Sequence, residues 1–195
     1  ENNLLKISDN GIGMTSEEIK KYINQVAFSS AEEFLEKYKK EDQEIIGHFG
    51  LGFYSSFMVA DNVELITKSA RGSTKAVNWT CDGSPKFTIK DGEREEAGTD
   101  VKLYLMEEEL EFLEPSRIRN LILKYCDFMP VEVKLEGEPI NKRNPEWRRN
   151  PNELKDEDYV NLYKYLYPFQ GDPLIWIHLS TDYPYELQGI LFFPR

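Results

Sequence analysis

One decapeptide restricts the possible folds of this chain more than any other stretch: Gly47-His48-Phe49-Gly50-Leu51-Gly52-Phe53-Tyr54-Ser55-Ser56. Its three glycines stand at close, uneven spacing, just ahead of the apolar run Phe53 to Ala60. A packed core has no use for them, because glycine loses more backbone entropy on ordering than any other residue. Such clusters persist where the chain takes positive φ or lets another group approach the backbone. At the start of a helix, bare N–H groups and the helix dipole together form an anion site, which phosphate commonly fills. A second glycine turn, Asp9-Asn10-Gly11-Ile12-Gly13-Met14, follows the strand-like run Leu4-Leu5-Lys6-Ile7-Ser8. The pair suggests a nucleotide site, with one loop at the base and the other at the phosphates.

Charge and composition narrow the setting. With 195 residues the chain makes one ordinary domain, or one domain and part of another. A formal net charge of −11 argues against a nonspecific grip on nucleic acid or anionic lipid, and the basic residues form no long block. Cys81 and Cys126 lie far apart without CxxC spacing, and only two histidines are present, so no structural zinc site is expected. No run reaches the roughly 18 apolar residues of a membrane helix. A reducing, cytosolic setting fits best. Glu1-Asn2-Asn3 leads straight into a strand, and Ile190-Leu191-Phe192-Phe193 lies at the far end. Both ends therefore read as cut, and the chain as an excerpt of a longer protein.

Periodicity supplies the elements. Thr15 and Glu18 form a capping box, with Ile19, Tyr22, Ile23 and Val26 following at helical spacing. Residues 29–45 are polar, a candidate mobile lid or a solvated surface helix. Phe53–Val59 reads as a buried helix. Strands are expected at Val63–Lys68, Ala76–Thr80, Lys86–Ile89 and Thr99–Met106, joined by turn-rich segments as antiparallel neighbours. Pro115 opens a helix carrying Ile118, Leu121, Ile122 and Tyr125 on one face; Pro130 stops it, and Val131–Leu135 is another strand. This pattern predicts an α+β chain, a two-layer α/β sandwich rather than a doubly wound parallel sheet. Composition shifts near residue 137, where prolines, asparagines and the charges Lys142, Arg143, Arg148 and Arg149 suggest a linker. The boundaries expected are a first domain over 1–137, a linker over 138–152, and the start of a second α/β domain over 153–195. That last part carries a helix with Tyr159, Leu162, Tyr163 and Leu166 on one face, then strands at Leu174–Leu179 and Glu186–Phe193.

Several residues could carry chemistry. Asp9, an acid ending an apolar strand, can accept a hydrogen bond from an exocyclic amine; Asp-Asn-Gly is also a common turn. The N–H groups of Gly50, Leu51, Gly52 and Phe53 can meet phosphates. No GK[ST] follows them, so the loop is not a Walker A motif. Glycine spacing rules out a dinucleotide fingerprint as well. Thr99, after Gly98, can bind a base edge or a water, or simply close a hairpin turn. His48 and His178 have no partner spacing that points to catalysis and read as structural. The basic residues at 142–149 read as a solvated linker.

Taken together, Asp9-Asn-Gly-Ile-Gly-Met, Ile46-Gly-His-Phe-Gly-Leu-Gly-Phe-Tyr-Ser and Gly98-Thr99 resemble the ATP site of the 90-kDa heat-shock protein chaperones, bacterial HtpG type. The likeness runs over nearly the whole chain, through Glu111-Phe112-Leu113-Glu114, Trp147-Arg148-Arg149-Asn150 and Asp172-Pro173-Leu174-Ile175-Trp176. The second motif is specific to that family. The first, and the glycine–threonine, are shared with the wider GHKL group of gyrase, mismatch-repair and histidine-kinase ATPases.

The resemblance implies a GHKL (Bergerat-type) ATP-binding fold, N-terminally truncated, followed by the beginning of a middle domain. It implies ATP or ADP with Mg²⁺ as cofactor and makes Asp9 the adenine-amine acceptor, with Thr99 in the same water network. Gly13 and Met14 would line the base pocket; Gly50, Leu51, Gly52 and Phe53 would meet the phosphates; residues 24–47 would be the lid. It also implies a cytoplasmic, homodimeric stress-response chaperone that couples ATP hydrolysis to clamp closure around client proteins, binding neither nucleic acid nor membrane. The family's water-orienting glutamate and Mg²⁺-binding asparagine would lie upstream of Glu1, and its γ-phosphate arginine beyond Arg195. No catalytic residue is therefore expected within this sequence, and little ATPase activity from it alone. The lid departs from the family's Gly-Thr-Ile-Ala-Lys-Ser-Gly-Thr, reading Asn24-Gln25-Val26-Ala27-Phe28-Ser29-Ser30-Ala31. Phe28 removes a lysine that could reach phosphate, and the lost glycines stiffen the segment. The alternatives are another GHKL ATPase, of DNA-acting or kinase type, or a nucleotide-binding module without turnover.

Overall fold

Side-chain alternation sets the two faces of the sheet in the first part of the chain. In the computed structural model, which describes residues 3–24, 51–71, 75–183 and 185–195, five strands form one antiparallel sheet. They are β1 (Leu4–Asp9), β2 (Ala60–Lys68), β3 (Val77–Cys81), β4 (Phe87–Asp91) and β5 (Gly98–Leu105), in the order β1-β5-β2-β3-β4. Val63, Leu65, Val77, Trp79, Leu103 and Leu105 point to one face and are buried there. Period-two burial of this kind requires that face to be covered. Part of the cover is α1 (Ser16–Tyr22), whose Ile19 is fully buried and followed by Ile23. Its capping box forms as expected: Thr15 Oγ1 accepts the Glu18 amide at 3.2 Å, and Glu18 Oε2 accepts the Thr15 amide at 2.8 Å. The α+β class with an antiparallel sheet holds.

The opposite face is polar. Glu64 accepts bonds from Lys102, Tyr104 and Asn78, while Asp100 pairs with Lys6 and Arg94. Burial pushes the Glu64 carboxyl up, but those donors outweigh it and hold the group below its ordinary value. Asp100 behaves alike: burial raises it, and bonds from Lys6, Ser8 and Arg94 bring it lower.

Phe53–Val59 is not a buried α-helix. It forms a 3-10 helix, Gly52–Met58, with no fully buried residue, and Met58 is 75% exposed. Ser55 Oγ donates to the Gly52 carbonyl at 2.6 Å, a local bond that competes with α-helical pairing. Phe53 and Phe57 nevertheless pack against the core. Residues 25–50 lie outside the described residues, and with them the lid beyond Asn24, His48 and Gly50.

Contacts divide the chain into two compact units, Glu1–Ile118 and Arg119–Arg195. The division falls inside α2 (Pro115–Tyr125). In the second unit the strand expected at Val131–Leu135 shrinks to β6 (Lys134–Leu135), paired with β7 (Glu138–Pro139). Asn141 is the reason: its amide accepts the Val133 N–H at 2.7 Å and donates to the Val131 carbonyl at 2.9 Å, claiming ladder groups. Glu136 and Gly137 both take positive φ between the strands, as a two-residue hairpin loop demands. Residues 138–152, proline-rich and charged like a linker, hold ordered structure here, with Trp147 packed on Phe128 at 4.5 Å. α3 (Asp156–Leu166) buries Tyr159, Leu162 and Tyr163. Tyr159 stacks on Trp176 of β8 (Ile175–Thr181), which pairs with β9 (Leu187–Phe193).

Candidate functional site

Strand register assembles the site. Asp9 of β1 stands opposite Thr99 of β5, and Thr99 stands opposite Thr67 of β2. Residues paired across a ladder share a face, so the three form one transverse row on the core side. The row lies at the end where the Asp9–Met14 loop leaves the sheet. Its polar side chains continue the apolar rows Ile7–Val101–Leu65 and Leu5–Leu103–Val63. The sheet face thus changes from hydrophobic floor to polar rim over a single register step.

Asp9 is solvent-exposed, and its Oδ1 accepts the Gly11 N–H at 2.8 Å. That turn fixes the carboxylate and leaves Oδ2 without another partner among the described residues. The loop is then pinned to the end of β2. Met14 N–H donates to Thr67 Oγ1 at 2.9 Å, and Ala70 N–H donates to the Ile12 carbonyl at 2.7 Å. Gly13 makes this possible: at φ 59°, a Cβ there would sit 1.9 Å from the Lys68 carbonyl oxygen. Gly98 is equally confined, since its Cβ would lie 2.2 Å from the Asp9 carbonyl oxygen at φ 129°. The glycine before Thr99 therefore lets β5 meet the start of the site loop.

Two contributors escape a reading by motif. Thr67 is fully buried, and its hydroxyl touches the Gly98 carbonyl at 3.1 Å and Thr99 Oγ1 at 3.0 Å. One signal was available: Thr67 is the polar member of the inward series Val63, Leu65, Thr67. Arg94 comes from the β4–β5 connection, donates to the Asp9 carbonyl at 2.8 Å and pairs with Asp100. Nothing in its local sequence marks it; only the fold brings it 85 positions back along the chain to Asp9.

The second glycine stretch reaches the same face. Phe53 meets Trp79 edge-on at 5.6 Å between centroids, and Trp79 is the partner of Leu65, two residues before Thr67 on its strand. The Tyr54 hydroxyl bonds the Ile23 carbonyl at the end of α1, and Trp79 Nε1 donates to Asn24 at 2.9 Å. Leu51 and Gly52 are exposed, and the first N–H groups of the 3-10 helix have no intrahelical acceptor. Of the expected residues, Asp9, Gly13, Met14 and Thr99 are brought together at the sheet end. Leu51, Gly52 and Phe53 border the same core, and Gly50 lies outside the described residues.

This arrangement offers fixed acceptors at a rim above an apolar floor, with a glycine loop beside them. Such a set suits a flat, apolar ring bearing an amino edge. His178 is structural, as its spacing suggests: Nδ1 meets the Tyr159 hydroxyl at 2.9 Å and Nε2 the Trp147 carbonyl at 3.2 Å. Among the described residues no group of three His, Cys, Asp or Glu is assembled for a metal ion, and no helix is long and apolar enough to cross a membrane.

Comparison with known proteins gives concordant matches. Residues 1–96 match the family of histidine kinase-, DNA gyrase B- and HSP90-like ATPases, and residues 130–195 match the Hsp90 protein family. The chaperone protein HtpG of Bacteroides thetaiotaomicron is 52% identical over 98% of the chain. HtpG of Porphyromonas gingivalis is 48% identical over 98%, and that of Actinobacillus pleuropneumoniae 41% over 97%. The chain spans 30% of the first two relatives and 33% of the third.

Proposed function

The chain belongs to the 90-kDa heat-shock protein chaperones of HtpG type, and from that premise we propose that its first unit binds ATP at the Asp9–Thr99–Thr67 rim. The observation that carries this reading is the register that sets Asp9 beside Thr99, with Gly13 holding the loop against β2. Asp9 Oδ2 accepts the adenine amine, Gly13 and Met14 form the wall beside the ring, and Leu51, Gly52 and Phe53, with Gly50, offer backbone N–H groups to the phosphates. In functional terms residues 1–137 are the ATP-binding domain, 138–152 the connection, and 153–195 the beginning of the middle domain.

For the whole protein the proposal is a cytoplasmic, stress-responsive homodimer that couples ATP hydrolysis to closure around client proteins. Mg²⁺ is the expected companion of the nucleotide and neutralises phosphate charge when bound. The residues assigned here hold the base and the phosphates. The match of residues 130–195 to Hsp90 proteins favours this branch over a kinase or a DNA-acting ATPase. Calorimetry with ATP on the full-length protein and its Asp9→Asn variant tests the reading. Replacing a charged acceptor by an amide that also presents hydrogens is expected to weaken binding at least about tenfold. Equal affinity for both proteins excludes Asp9 as the base contact.

A further inference from the structure

The hydroxyl of Thr67 obeys a simple proton count. It carries one hydrogen and two lone pairs. The Met14 N–H, at 2.9 Å, takes one lone pair. The Gly98 carbonyl, at 3.1 Å, can only accept, so it takes the hydrogen. What remains for Thr99, at 3.0 Å, is the second lone pair, and the Thr99 hydroxyl must donate to it. Thr67 is then saturated, fully buried and unable to turn without breaking a bond. Thr99 has then spent its only hydrogen, and its oxygen is left with lone pairs alone.

We infer that Thr67 is a specificity-determining residue: by fixing the Thr99 hydroxyl as an acceptor beside the Asp9 carboxylate, it selects ligands that present an amino edge and rejects those that present a keto edge. This rests on the proposed nucleotide site and names its base preference. Asp9 is an acceptor already, and one of its oxygens is used by the Gly11 N–H. Two neighbouring acceptors match a 6-aminopurine, whose exocyclic nitrogen carries two hydrogens. A 6-oxopurine would set its carbonyl oxygen against lone pairs. If Thr99 were free to rotate, it could offer its hydrogen to that oxygen and the discrimination would relax. Thr67 removes this freedom without touching the ligand, so it is a positioning residue.

The test is the ratio of affinities for ATP and inosine triphosphate, measured by calorimetry on the full-length protein and on its Thr67→Val and Thr67→Ser variants. Val keeps the shape and deletes the hydroxyl; Ser keeps the hydroxyl. The ATP preference of the unmodified protein is expected to fall about tenfold in Thr67→Val, chiefly through improved relative binding of the inosine nucleotide, and to return in Thr67→Ser. A purely packing role would weaken both nucleotides alike and leave the ratio unmoved; that result overturns the inference. Failure of the unmodified protein to bind either nucleotide overturns the underlying site reading instead. Melting temperatures of the free variants identify loss of fold, and a Thr67→Ser variant that folds but does not regain the preference also counts against the inference.

Discussion

Gly13 carries the strictest demand of any single position in the site loop. Its φ of 59° is open to other residues at a cost, but the 1.9 Å approach to the Lys68 carbonyl is not, because that oxygen belongs to backbone held in the sheet. Gly13→Ala must push the loop off β2 and break the Met14–Thr67 bond. The expected loss of stability is about 3 kcal/mol, read from denaturant unfolding, with nucleotide affinity falling in parallel. Gly52, by contrast, has no described residue within 4 Å of where a Cβ would stand, so alanine there is expected to meet no such clash with them. Asp9 and Thr99 were legible as candidates because motif and strand end coincide. Thr67 was not singled out, since a threonine in a strand is ordinary until its register partner is known. Arg94 lay beyond local pattern altogether.

At the scale of elements, β2 and β5 organise the first unit: one face builds the core and the rim, and the other carries the ion pairs of Glu64, Lys102, Asp100 and Arg94. Glu64 and Asp100 sit below their ordinary values in the folded protein. As pH falls below the ordinary carboxylate range of about 4, the unfolded chain takes up protons at these groups before the folded one does. Their contribution is therefore complete at neutral pH and disappears on acidification through the folded values. Glu64→Gln should melt below the unmodified protein at pH 7, and the gap should narrow as the pH is lowered through the acid range. A gap that stays constant would show that ionisation of Glu64 has no part in it. Strands were legible in sequence to within a few residues because alternation is a direct image of the two faces. The segment Gly52–Met58 was harder, since its apolar content matches a helix while Gly52 and Ser55 bend it into a 3-10 turn. The β6–β7 hairpin was missed because its stabilising groups are the side chain of Asn141 and two positive φ angles, neither of which shows as hydrophobic period.

At the scale of the molecule, every residue assigned to the nucleotide lies in the first unit, Glu1–Ile118, and the Hsp90-family match of residues 130–195 falls in the second. Binding is thus a property proposed for one unit, whereas hydrolysis and client handling are proposed for a protein about three times this length, as its relatives are. Binding as proposed requires the purine to sit at the end of the β1–β5–β2 row. A crystal structure of the full-length protein with ADP tests that placement most directly. The adenine amino nitrogen is expected at about 3 Å from an Asp9 carboxylate oxygen, over the apolar floor and against Gly13 and Met14. A base seated elsewhere, with the Asp9 carboxylate bonded only to the Gly11 N–H, would contradict it.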